Sequence, residues 1–252
     1  MPILSALLLS VFVTAAGSDS VSTAAADVRP LIDRVVTAYG GRSALEGVHA
    51  YRVDGHVVTA QGEKREAPTI RLFQRPSKLR VENRYSEGTE LRIVSGEHGW
   101  RGKGDSGADA TGPMLDAMML QAVRADLPWF LMQHAGEARV IESTTEEGRT
   151  MSVIEVPIER GLTIRAYVDS TSGRIAMSES RMPQGEQVMT FETLYSDYRK
   201  VGNVLFAFGE ENSASGQPTG TITFDKVTLN PKVKAGDFGP PPGAKHSDKP
   251  TH

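Results

Sequence analysis

The stretch Gly112–Leu131, GPMLDAMMLQAVRADLPWFL, decides how the rest of the chain is read. Between Met114 and Leu120 the one polar side chain is Asp116, and Met114, Met118 and Met119 are all methionine. Pro113 suits a first helical turn and Pro128 interrupts the run. The spacing therefore predicts two short helices, at about 113–124 and about 129–135. A helix that is apolar on every side either plugs a core or faces something apolar that is not protein. Methionine is favoured where a surface must adapt to a flexible ligand. Two readings follow: a core plug, or a removable lid whose Met114, Leu115, Met118 and Met119 face one lipid-sized cavity.

Outside this stretch the hydrophobic period is mostly two, the mark of half-buried strands. In AYRVDGHVV (50–58), Tyr51, Val53, Gly55 and Val57 fall on one face and Arg52, Asp54 and His56 on the other. Strands are expected at about 68–75, 78–86 and 89–95, then at LTIRAYVD, RIAMSESRM, QVMTFETLYSDYRKV and VLFAFGEEN. In GTITFDKVTLN the apolar phase slips by one between Phe224 and Val227, which predicts a β-bulge. KGDSGADATG (103–112) reads as a small-residue loop. Ahead of the strands, Leu31, Ile32, Val35, Val36 and Ala38 make an amphipathic helix stopped by Gly40-Gly41. About ten strands joined by short turns imply an antiparallel sheet, and a sheet that long must curl. The expected class is mainly β: an unclosed, strongly curved antiparallel barrel with an N-terminal helix and a mid-chain helical lid.

The bulk properties narrow the function. The 252 residues carry a net charge of −3, so no basic field exists to attract nucleic acid. There is no cysteine, which removes disulfides, thiolate metal sites, cysteine nucleophiles and a lipoprotein acylation site. Residues 1–26 read as a signal peptide, with the apolar run Ile3–Val13 and an Ala24/Ala26 cleavage site. Residues 27–238 form the expected domain, and the Pro/Gly-rich 239–252 a disordered tail.

Catalytic motifs are weak. Gly104-Asp105-Ser106-Gly107 matches a serine-protease nucleophile motif, but no matching upstream histidine motif accompanies it. Asp54, His56 and His98 could assemble a hydrolase or metal site. The bland reading of these is the polar outer face of a strand. A third possibility is an interaction module whose concave apolar face takes a partner's peptide or helix.

RLFQRPSKLRVENRYSEGTELRIVSGEHGWRG (71–102) resembles the LolA-like periplasmic lipoprotein carriers: an aromatic strand ending in Arg-Pro, an extended strand, then a turn leading to Trp. YVDSTSGRI, SDYRKVGNVLF and VTLNPKVKAGDF fit the later order, and AYGGRSALEGVHAYRVDGHV is similar to the start of broader relatives. Together these cover most of residues 30–238. The resemblance implies a half-barrel around an apolar cavity, carrying acyl chains across the periplasm. The expected protein is a periplasmic or secreted monomer whose partners are lipid or acylated protein cargo and donor and acceptor membrane proteins. The resemblance also implies that Arg75 faces the cavity and bonds the backbone of the lid helix. The expected ligand-contacting residues are Phe73, Arg75, Trp100, Met114, Leu115, Met118, Met119, Trp129 and Phe130. No catalytic residue, metal ligand or cofactor is assigned.

Overall fold

Alternation sets the first strand: β1 (Ala50–Thr59) buries Tyr51, Val53, Gly55 and Val57 and turns Arg52, Asp54 and His56 to the opposite face. In a computed structural model, which describes residues 27–104, 106–146, 149–241 and 243–245, β1 lies at the middle of one large sheet. On one side of it run β2 (Glu66–Gln74), β3 (Lys78–Tyr85), β4 (Gly88–Ser95), β5 (His98–Lys103) and β6 (Ser106–Asp109). On the other side the chain returns from the outside inward, through β7 (Arg139–Glu146), β8 (Arg149–Pro157), β9 (Thr163–Asp169), β10 (Ile175–Gln184), β11 (Gln187–Val201), β12 (Val204–Ala214) and β13 (Gln217–Leu229). These strands pair antiparallel throughout. A two-residue β14 (Ala244–Lys245) pairs parallel with β6 at the edge.

This order makes the mid-chain helices a bridge. β6 lies at one end of the sheet and β7 at the other, so the connection between them must cross the open mouth of the curled sheet. α3 (Pro113–Ala125) and α4 (Leu127–Gln133) are that connection. α3 packs on β4 and β5 of one wing and on β10 of the other, while α4 packs on α1 (Arg29–Ala38) and α2 (Arg42–Glu46). Glycine admits the helix on the first wing: a Cβ on Gly99 of β5 would stand 2.8 Å from a Leu115 methyl.

The bulge expected between Phe224 and Val227 is present. Asp54 faces Lys226 and Gly55 faces Phe224, leaving Asp225 as the extra residue. A Cβ on Gly55 would lie 2.2 Å from the Thr223 carbonyl oxygen, so the close approach there requires glycine.

Four expectations change. Among the described residues the sheet has 14 strands, more than the ten or so read from the sequence. The stretch taken for a loop carries β6, whose small residues Ser106, Gly107 and Ala108 give little strand signal but whose backbone pairs with β5. α4 starts two residues earlier than expected because Pro128 fits its first turn. In the segment read as a disordered tail, Ala244 and Lys245 pair with the sheet edge. The proposed signal peptide, 1–26, and residues 246–252 lie outside the described residues. Among the described residues no helix is long and apolar enough to cross a membrane.

The main core lies on the concave side, where α1 contributes Ile32, Val35 and Val36, the lid Leu115, Met118, Leu127 and Leu131, and the sheet Tyr51, Phe73, Val94, Ile154 and Ile164. A satellite cluster of Leu91, Ile93 and Phe238 covers part of the convex side.

Candidate functional site

Inward positions on β2 alternate as Ala67, Thr69, Arg71 and Phe73, and Arg75 continues the same phase just past the strand end. Its guanidinium meets the α3–α4 junction. Nε donates to Asp126 Oδ2 at 2.5 Å and Nη2 to Oδ1 at 2.9 Å, a bidentate pair with both side chains 9 % exposed. Nη1 donates to the Leu45 and Val48 carbonyls of α2 and the turn after it. The guanidinium also lies 5.1 Å from the Trp129 ring centroid. Burial pushes the Asp126 carboxyl up to about 6, and Arg75 opposes that shift. Next to this pair, the Tyr51 hydroxyl donates to the Ala125 carbonyl. The far wing holds the lid more lightly: Arg124 donates to Ser180 Oγ at 3.1 Å and Arg160 to Asp116 at 2.6 Å.

The structure distributes the other sequence-derived residues among different surroundings. α3 is a wall between cavities and does not present its methionines to a single one. Met114, 42 % exposed, and Met118 line a cavity of about 600 Å³ at the mouth of the half-barrel. Met119, Trp129 and Phe130 line a separate groove of about 620 Å³ with Val94 and Ile158. Residues 114 and 118 share a helix face at i, i+4, whereas 119 lies about 100° further round. Leu115 is buried on the sheet near Gly99. Phe73 is core, stacked on Tyr51 at 5.2 Å between ring centroids. Trp100 faces the convex side: it pairs with Ile93 across β4–β5 and packs in the Phe238 cluster, away from the lid.

A small inner cavity of about 80 Å³ lies under the helix junction, walled by Tyr51, Arg75, Leu127, Leu205 and Phe224. Asp126 borders both this cavity and the Trp129 groove, so the Arg75–Asp126 pair stands at the partition between them.

Sequence reading missed the polar floor. Arg71 makes a bidentate pair with Glu210 of β12, both bonds at 2.8 Å and both side chains nearly buried. Beside it the Tyr195 hydroxyl bonds Ser178 at 2.9 Å, and burial raises its phenol to about 12. The available signal was parity, since Arg71 shares the inward phase of Phe73.

Asp54, His56 and His98 do not come together. Asp54 is held by Arg52 at 2.6 Å and His56 by Asp225 at 3.2 Å on the convex side of β1. His98 stands beside Trp100 on β5, separated from β1 by β2, β3 and β4. Ser106 of the protease-like motif donates its hydroxyl to the Lys103 carbonyl in a turn. Among the described residues no group of three or more His, Cys, Asp or Glu is placed to hold a metal ion.

No protein-family model and no curated protein matches the sequence. Solved structures do match in fold. A LolA superfamily protein from Nitrosomonas europaea aligns over 85% of this chain and 98% of its own, with TM-score 0.59 and 11% identity. A DUF1329 family protein from Desulfovibrio piger aligns over 84% and 97%, with TM-score 0.54 and 9% identity. An outer membrane lipoprotein-sorting protein domain from Vibrio parahaemolyticus aligns over 82% and 95%, with TM-score 0.52 and 11% identity. With its unclosed antiparallel sheet and helices laid across the concave side, the chain has a LolA-like fold.

Proposed function

We propose that the protein is a periplasmic carrier that holds lipid or lipoprotein acyl chains under the α3–α4 lid, between donor and acceptor membranes. One observation carries the reading: the segment that closes the half-barrel is latched by a buried ion pair at the boundary between an inner cavity and an outer apolar groove. A plain core plug needs no such pair, because hydrophobic residues of similar volume often stabilise as well or better. A latch of this kind offers two states of comparable energy. Parting Arg75 from Asp126 would join the groove lined by Met119, Trp129 and Phe130 to the space beneath Leu127. An acyl chain entering there gains roughly 0.8 kcal/mol for each CH₂ taken from water, which offsets the lost pair after about half a dozen carbons.

The test is binding of a fluorescent fatty-acid analogue to the wild type and to Trp129→Asp, with Val188→Asp as an exposed control on β11. A carboxylate placed in the groove should weaken binding at least about tenfold, with the control unchanged. Equal affinity of all three proteins would contradict the groove as the entry route, and absence of binding by the wild type would contradict the carrier reading.

A further inference from the structure

The mouth cavity beside Met114 has an unusual charge pattern for a space walled by Val57, Ile222, Ala117 and Phe191. Arg92 of β4 stands directly opposite Arg101 of β5 in the register. Arg92 also faces Val81, and Val81 faces Arg71, so Arg71, Arg92 and Arg101 form one cross-strand row on the concave face. Like charges directly opposite across a strand pair are destabilising. Surface arginines normally relieve this with a nearby carboxylate, yet the acids here are engaged elsewhere. Glu90 is 3.5 Å from Arg65, Glu192 accepts from Ser213 and Thr190, and Glu210 is held by Arg71.

Among the described residues neither Arg92 nor Arg101 has a carboxylate within ion-pair distance, and the same holds for Arg124, which reaches in from α3. Arg101 donates to the Met114 sulfur at 3.7 Å, and Arg124 donates to Ser180 Oγ with its guanidinium 5.8 Å from the Phe191 ring centroid. Burial and the nearby Arg71 push Arg92 down to about 10, with Glu90 opposing the shift and Arg101 adding to it, so Arg92 remains cationic at neutral pH. Two desolvated guanidinium groups, those of Arg92 and Arg124, line the cavity beside the exposed Arg101, and a set of like charges at a cavity wall is the arrangement an anion would complete. The cavity is concave and about 600 Å³, in the range of small-molecule sites rather than of a surface that docks a macromolecule. Its other walls mix apolar residues, Met114 and Met118 among them, with polar ones such as Asn83, Gln121 and Asn212 and with the carboxylates Glu90 and Glu192.

We propose that this cavity binds the anionic head of an amphiphile, a carboxylate- or phosphate-bearing lipid, between Arg92, Arg101 and Arg124, with the adjoining chain against Met114, Met118 and Phe191. The inference rests on the carrier reading and adds the charge of the cargo to it. It also assigns the two sides of α3 different tasks: the latch side receives chains, and the mouth side reads the head.

The experiment compares a pyrene-labelled fatty acid with its methyl ester, on the wild type and on Arg92→Gln and Arg101→Gln. The acid should bind the wild type at least about tenfold more tightly than the ester. Each substitution should erase most of that preference and leave ester affinity unchanged. A preference that survives both substitutions overturns the proposal, and so does ester binding equal to acid binding in the wild type. Failure of both probes contradicts the carrier reading together with this one, whereas ester binding without acid preference contradicts this one alone. Phosphatidylglycerol and inorganic phosphate, added as competitors, separate the sources of the anion. Competition by the lipid at concentrations where free phosphate has no effect is expected, and competition by free phosphate at equal concentration overturns the amphiphile. As a second measurement, ligand-free Arg101→Gln should melt no lower than the wild type, since it relieves a like-charge pair; a large loss of stability would mean that Arg101 is structural.

Discussion

Arg75 and Arg92 line the same concave wall and have opposite surroundings. Arg75 spends its donors on Asp126 and on the carbonyls of Leu45 in α2 and Val48 just after it, and is nearly sealed. Arg92 faces another arginine and, among the described residues, has no carboxylate within ion-pair distance, Glu90 acting on it only from further away. The difference separates two uses of buried cationic charge. A paired arginine fixes a geometry, here the closed position of the lid. An unpaired one keeps its capacity for a ligand, and the fold tolerates a locally unfavourable charge for it.

Breaking the paired side should have the largest effect. Arg75→Leu leaves Asp126 buried without its cation and should cost about 3–5 kcal/mol, read from urea denaturation. Arg75→Leu with Asp126→Leu removes both charges and should recover most of the loss. A single-variant loss below about 1 kcal/mol would place the pair at the level of a surface salt bridge.

Acidity should act on the same pair with a definite sign. Asp126 titrates at about 6 in the folded protein, above the ordinary 3.8, because burial disfavours its charged form. The folded, closed form therefore binds this proton more tightly than an open or unfolded form. Stability from this group is gained as pH falls through about 6 toward 3.8 and lost as pH rises back through 6, by up to about 3 kcal/mol. The difference in stability between the wild type and Asp126→Asn, followed across the pH window from 3.8 to about 6 and a little beyond each end, should carry this slope. A flat difference would mean that the carboxyl is not displaced by burial.

Gly99→Val sharpens the comparison from the lid's side. The added side chain collides with Leu115 and should destabilise by about 1–3 kcal/mol while raising the rate of probe entry. Loss of stability with no change in entry rate would make that end of α3 a fixed core contact. The smallest effect is expected at the unpaired side, where Arg92→Gln should shift stability by less than about 1 kcal/mol, in either direction, in the absence of lipid.

Much of this arrangement was legible before the fold was seen. Period-two burial marked β1 and its inward set, the phase slip at Phe224–Val227 located the bulge, and the apolar run after Gly112 located the bridge. The inward direction of Arg75 came from family resemblance, and its partner did not: the structure pairs it with an acid side chain at the helix junction, where lid backbone had been expected. Asp126 before Leu-Pro looks in sequence like an ordinary helix cap, and only the fold brings it to a residue 51 positions away. The split of the methionines between two cavities follows from helix rotation, which composition cannot reveal. Trp100 was misassigned because aromatic character does not encode which face of a strand it occupies; its pairing with Ile93 does. The arginine row was invisible for the same reason, since Arg71, Arg92 and Arg101 become neighbours only through strand register.

The most direct test of a lidded lipid site is native mass spectrometry of protein purified without detergent, followed by organic extraction and identification of what is released. The expected result is a population carrying one acyl lipid per chain, rich in anionic species, which shifts to the empty mass when an excess of fatty acid-binding resin is added. Protein that emerges only at its bare mass, yields no extractable lipid and takes up none from mixed micelles would contradict the carrier reading at its root.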